Sequence, residues 1–389
     1  MTRIEIADAV PEAAEIVADV RARGDEALLD WTERLDGERP PSLRVPVESI
    51  RDAPADEAFL AAIRRLAEAV REFHEPQRPA DTRTYPYPGV EAERRFRPLG
   101  SVGIYAPGGR AAYPTSLVMA AVPAQVAGVE RIAVASPRPS AAVLATAREL
   151  GLDEMYAVGG AQAIAALAYG TETIVRVDKI VGPGNRWVTA AKLLVSARVG
   201  IDLPAGPSEV LIVADETADA ALCAADLLAQ AEHGPDSECV LVTTSPALAS
   251  EVERLTAGWE QVSVEVATSL DEAFTRVDEY APEHLELHVA DPEAAAARVA
   301  NAGSIFLGSC APAVVGDYAS GANHVLPTGG LARGAGGLGL EAFLKPVQIV
   351  AASREGLDAM RETIGVLAAV EGLPLHAAAV EARFEDGRA

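Results

Sequence analysis

Residues 205–238 read AGPSEVLIVADETADAALCAADLLAQAEHGPDSE, in turn a loop, a strand, a helix and an abrupt stop. Glu209–Asp215 (EVLIVAD) is a short apolar run of the kind a central, doubly covered strand needs. Thr217 can cap a helix that continues through Leu222, Leu228 and Ala229, and Gly234-Pro235 ends it. Gln230 and His233 in the last turn are spaced i and i+3, so both leave one face. The carbonyl end of a helix favours a bound cation. The pair alone is weak evidence for a metal, because an amide oxygen is a poor zinc ligand beside His or Cys; an ordinary helix-end histidine is the simpler reading.

Outward from this stretch, strand and helix alternate. Upstream, the strand candidates are Val102–Tyr105, Arg131–Ala135, Met155–Val158 and Thr173–Val181. Downstream of Glu209–Asp215 they are Cys239–Thr244, Val262–Ala267, Leu285–Val289 and Ser304–Leu307. Alanine-rich helices with one apolar face lie between them. The alternation predicts parallel, doubly wound sheets in two tandem α/β units. Residues 1–80 read as helical, with apolar periodicity in Ile16–Trp31 and Phe59–Phe73 and a short strand at LRVPVES (43–49). Tyr85–Pro98 reads as an antiparallel ribbon turning at Pro88-Gly89, and the tail from Glu341 as mostly helical.

Gly334–Gly339 (GAGGLG) has the GxGxxG spacing, but no strand precedes it, so it reads as a mobile loop. The turns GGAQA (159–163) and GPGN (182–185) follow strands, and there glycine and a helix N-terminus suit a pyrophosphate. Tight turns needing positive φ account equally well for either taken alone.

Composition bounds the functional classes. At 389 residues the chain can hold two or more domains, and no apolar segment approaches the length of a membrane span. Its start, MTRIEIADAVPEAAEIV, carries acids where a secretory signal carries bases, which predicts a cytoplasmic protein. Cys223, Cys239 and Cys310 form no CxxC pattern and read as inert structural thiols. A net charge of −24 argues against a nucleic-acid partner. An excess of 57 acidic over 33 basic residues also predicts adaptation to a salty cytoplasm, where self-repulsion is screened.

Of the six histidines, His74 stands apart and reads as structural. The other five fall in QAEHGPDS (230–237), APEHLELH (281–288), GDYASGANHVLP (316–327) and EGLPLH (371–376). Glu283 stands beside His284, and Asp317 precedes His324 by seven residues. Standing alone, Glu283-His284 reads as a solvated pair at a helix-to-strand turn. Through these segments, with GPGN, AGPSEV and GDYASGANHVLPTGG, the chain closely resembles the histidinol dehydrogenases over nearly its whole length.

That resemblance implies two incomplete Rossmann-like domains in tandem with terminal extensions that interlock a homodimer. Residues 1–103 with 209–335 would form one domain, 104–208 the NAD-associated one, and 336–389 the helical tail. The implied reaction takes L-histidinol through histidinal to L-histidine with zinc and NAD. Gln230, His233 and Asp317 are the implied zinc ligands, joined by His376 from the partner subunit. Glu283 would activate water and His284 would serve as base in both oxidations. Ser208, His324 and Glu371 would surround the substrate together with Gln230, His233, His284, Asp317 and His376. Tyr105, Gln162 and Asn185 would line the NAD site. The chain departs from the family pattern in a short N-terminal extension and in Pro346 of FLKP (343–346). A relative acting on another alcohol, such as a sulfonated diol, is the alternative; Glu371 speaks against an anionic substrate. An inactive paralogue would lack an implied ligand, and none is missing.

Overall fold

The computed structural model describes residues 6–108, 113–204 and 206–385; the acidic start up to Glu5 and Ala205 of the AGPSEV loop lie outside them. The strands are, in chain order, β1 Thr82–Tyr87, β2 Val90–Pro98, β3 Ser101–Tyr105, β4 Arg131–Ala135, β5 Met155–Tyr156, β6 Lys179–Val181 and β7 Gly200–Ile201. There follow β8 Glu209–Ala214, β9 Glu238–Thr243, β10 Val262–Val266, β11 His284–His288, β12 Ser304–Leu307 and β13 Leu344–Ala352. The chain forms two compact units, one within Met1–Gln77 and Leu99–Phe343, the other within Arg78–Pro98 and Leu344–Ala389.

The larger unit holds two five-stranded parallel sheets, ordered β5-β4-β3-β6-β7 and β10-β9-β8-β11-β12. In each, the first strand in sequence is central and later strands add on either side, the order of a doubly wound sheet. The predicted α/β class and tandem sheets are therefore observed. β8 shows why the sequence folds this way: all six residues are buried. Leu211 and Val213 pack into the core on one face of the sheet, Val210, Ile212 and Ala214 into that on the other.

Several boundaries differ from expectation. LRVPVES makes a single bridge, Arg44 to Tyr156, and then enters a short helix, Val47–Arg51. The strand expected over Thr173–Val181 shrinks to Lys179–Val181, and β7 adds an unforeseen edge. Thr217 does not cap; it donates to Asp215, and the Asp219 carboxylate accepts from Ala221 N–H ahead of the helix Ala220–Ala231. The smaller unit contains the expected ribbon β1-β2, but the tail begins with a nine-residue strand, β13, antiparallel to β2. Pro346 sits on that edge strand, where a missing N–H is tolerated. The helices Arg354–Val370 and Pro374–Glu381 complete this unit. His74 is buried, its ring nitrogens meeting the carbonyl oxygens of Val70 and Leu338, a structural histidine as expected. Cys223 and Cys239 are buried, whereas Cys310 is exposed.

Candidate active site

The catalytic candidates cluster at the N-terminal ends of β8 and β11, neighbouring central strands of the second sheet. The helix Leu270–Tyr280 ends at Ala281, which adopts φ 53, and the chain reaches β11 through Pro282 and Glu283. That break lets adjacent residues serve one site, because regular strand geometry would send Glu283 and His284 to opposite faces. The backbone here is pinned by Ser304 N–H donating to the Glu283 carbonyl (2.9 Å). A Cβ on Gly303 would stand 2.6 Å from that carbonyl oxygen, so the close approach requires glycine.

Both residues are buried, contrary to a solvated pair. Glu283 Oε2 accepts from Ser208 Oγ (2.7 Å) and from Glu209 N–H (2.9 Å). Burial raises the Glu283 pKa and Asp317 adds to the rise, against the opposing effects of His284, Ser208 and Glu209. His284 Nδ1 lies 3.1 Å from the Glu209 carbonyl oxygen. A carbonyl only accepts, so Nδ1 carries a proton, and in the neutral ring the lone pair is on Nε2.

The parallel crossover brings the end of the helix Ala220–Ala231 back to this edge of the sheet. Gln230 is buried in its last turn, and His233 lies in the turn beyond it. Asp317 is carried by the short helix Val314–Tyr318. His324 joins these groups: Nδ1 meets the Asp317 carbonyl at 3.2 Å and Nε2 meets Ser116 Oγ at 3.2 Å. Its pKa is lowered first by burial and further by His284 and His233, against the carboxylate of Asp317. Ser208, His233, Glu283, His284, Asp317 and His324 thus converge. Glu371 and His376 lie in the smaller unit, where both are exposed.

The residues suit a cation. The Gln230 amide is buried and its Nε2 has no partner, an orphan that a ligand would relieve. A half turn about its last side-chain bond presents the amide oxygen in place of the nitrogen. With His233 and Asp317 this gives the mixed nitrogen and oxygen donors zinc accepts.

The candidate cofactor-binding residues gather at the other sheet. Tyr105 ends β3, and GPGN follows its neighbour β6, so both sit at the point where strand order reverses. Gly160 N–H donates to the Tyr105 hydroxyl (3.1 Å), and burial pushes that phenol up to about 12. Gln162 is buried with Oε1 unpartnered. Gly182 has φ 112, and a Cβ there would fall 2.2 Å from the Tyr105 carbonyl oxygen. Asn185 caps the helix Arg186–Val195, accepting from Trp187 and Val188 N–H. A cleft of about 470 Å³ joins the two regions, lined by Asn185, Trp187, Gly206, Ser208, His233 and Asp236 among others. The GAGGLG segment is irregular, with no strand before it.

Some contributors escaped the sequence reading. Lys192 and Asp202 form a buried pair (2.6 Å) that holds Gly182 by both its N–H and its carbonyl. A lone lysine on an apolar helix in a lysine-poor chain was the available signal. Glu286 and His288 were signalled by HLELH, whose alternation puts three polar residues on one strand face.

The chain is similar to known proteins over nearly its whole length. The family model described as Histidinol dehydrogenase matches residues 2–384. A histidinol dehydrogenase of Halobacterium salinarum is 48% identical, covering 96% of this chain and 93% of its own. One from Thermobifida fusca is 45% identical, covering 98% and 93%. A crystal structure of histidinol dehydrogenase from Elizabethkingia anophelis superposes with a TM-score of 0.91 at 35% identity, covering 96% of this chain and 92% of that one.

Proposed function

The chain belongs to the histidinol dehydrogenase family, enzymes of the NAD-linked, two-step oxidation of histidinol, and from that premise we propose which of its residues carry the reaction. We assign proton transfer to His284 and water activation to Glu283. The observation that carries the assignment is the Glu209 carbonyl, which leaves His284 Nε2 as the free base. A base of this kind takes the hydroxyl proton in each oxidation. Glu283, buried and shifted upward, is suited to accept a proton from the water that adds to the aldehyde.

Gln230, His233 and Asp317 would hold zinc, with His376 of a second copy completing the set. Bound zinc would lower the pKa of the substrate hydroxyl and polarise the carbonyl that forms, while bound NAD would accept hydride. Tyr105, Gln162 and Asn185 would line the NAD site. Ser208 and His324 would orient the substrate beside the ligand set, and the Glu371 carboxylate would pair with its ammonium group.

The homodimer is supported by the surface of the smaller unit. Val350, Val370 and Leu375 are 68%, 82% and 80% exposed there, apolar side chains that a partner surface would cover. The test of the whole reading is NADH formation with L-histidinol. Activity should disappear with a chelator and return with zinc; turnover unaffected by complete metal removal would refute it.

A further inference from the structure

A second set of ionisable groups lies behind the site. On β11, His284, Glu286 and His288 share one face. On the helix Ala220–Ala231, Asp226 is one turn before Gln230. The donor atoms of Asp226, Glu286 and His288 lie within 4.8 Å of one another. His288 Nε2 is 3.1 Å from Glu286 Oε2 and 3.6 Å from Asp226 Oδ2. The other oxygen of Glu286 accepts from Ala313 N–H at 2.6 Å, where the chain enters the helix that carries Asp317. Glu286 is 1% exposed and His288 4%.

Resting on the functional reading above, we propose that Glu286 is a positioning residue: with Asp226 and His288 it fixes Gln230, His284 and Asp317 relative to one another. Each of the three elements that present these groups contributes to or is met by the same cluster. Asp226 belongs to the helix whose last turn carries Gln230 and which His233 follows. Glu286 and His288 belong to the strand that begins at His284. Ala313 is four residues before Asp317. A buried imidazolium whose Nε2 faces both carboxylates fits the trio without a metal, because its charge offsets one of theirs and Glu286 also takes a backbone N–H.

The test compares Glu286→Ala, Glu286→Gln and Asp226→Asn with the unaltered protein. It reads zinc dissociation constants by chelator competition, the melting temperature of the zinc-free protein, and kcat at saturating zinc. Glu286→Ala should weaken zinc by about tenfold or more, the usual effect of losing a group that orients metal ligands. Glu286→Gln keeps an oxygen for Ala313 N–H and should recover much of that affinity. Saturating zinc should restore kcat. Asp226→Asn should weaken zinc by roughly threefold or more, which keeps the test decisive if Glu286→Ala does not fold. Zinc affinity within about twofold of the unaltered protein in folded Glu286→Ala or in Asp226→Asn would reduce the trio to a purely structural one. Two zinc ions per chain, one of them lost in Asp226→Asn, would make it a metal site and overturn the proposal. His233→Asn is the control for the underlying reading: if it binds zinc normally, the ligand assignment fails, whatever Glu286 does.

Discussion

Glu283 and His284 are neighbours in the chain but have separate anchors, Ser208 Oγ and Glu209 N–H for one and the Glu209 carbonyl for the other. Their roles should therefore separate under mutation. Glu283→Gln should spare histidinol oxidation relative to histidinal oxidation by about tenfold or more, whereas His284→Asn should slow both by at least about a hundredfold, as loss of a general base does. Assaying each variant with histidinol and with histidinal decides this, and equal losses in both steps for Glu283→Gln would end the division of labour. The residue types of this site were readable in APEHLEL. That they share one buried site was not, because it depends on the αL turn at Ala281 and on Gly303 reaching the Glu283 carbonyl.

At the scale of elements, β11 carries a pH-dependent contribution to stability. Burial alone would lower the His288 pKa, but the Cys223 sulfur and the Glu286 carboxylate outweigh it and hold it at about 10, above its ordinary 6.5. Burial, with Glu286 close by, pushes Asp226 up to about 7. A group held above its unfolded value stabilises the fold fully below the unfolded pKa and loses that contribution as pH rises through the folded one. The His288 contribution is thus lost between about pH 6.5 and 10, and that of Asp226 below this range but in the same direction. The melting temperature should fall from about pH 7 to about pH 9.5, and the fall should shrink by roughly 2 °C or more in His288→Gln. An unchanged slope in that variant would assign the effect to other groups. The tail offers a second test. If His376 serves the neighbouring subunit, mixing inactive His233→Asn and His376→Asn proteins through dissociation and reassociation should restore part of the activity, since one site of each hybrid carries neither change. No recovery in verified heterodimers would mean that each tail completes its own site.

For the whole molecule, charge is the dominant variable. With 57 acidic against 33 basic residues, the chain repels itself wherever salt leaves it unscreened, and a dimer brings two such surfaces together. The Debye length falls from about 10 Å at 0.1 M to about 3 Å at 1 M, so molar salt should remove most of that repulsion. Melting temperature and activity should therefore rise from roughly 0.1 to 2 M KCl. A melting curve that stays flat or falls over that range would mark an ordinary acidic enzyme.

The sequence by itself determined the α/β class, the two sheets in tandem and the residues with chemistry to perform, because apolar periodicity, glycine turns and clustered polar motifs are local signals. It also held, in HLELH, the alternation that puts Glu286 and His288 on the face of His284. Tertiary structure alone decided the rest. β13 could not be read as a strand, because what makes it one is pairing with β2, which lies some 250 residues earlier in the chain. Lys192 gains its role only through Asp202 and Gly182, and Glu286 through Asp226, His288 and the N–H of Ala313. Such contacts join residues from different elements, and no local pattern encodes where a buried charge finds its partner.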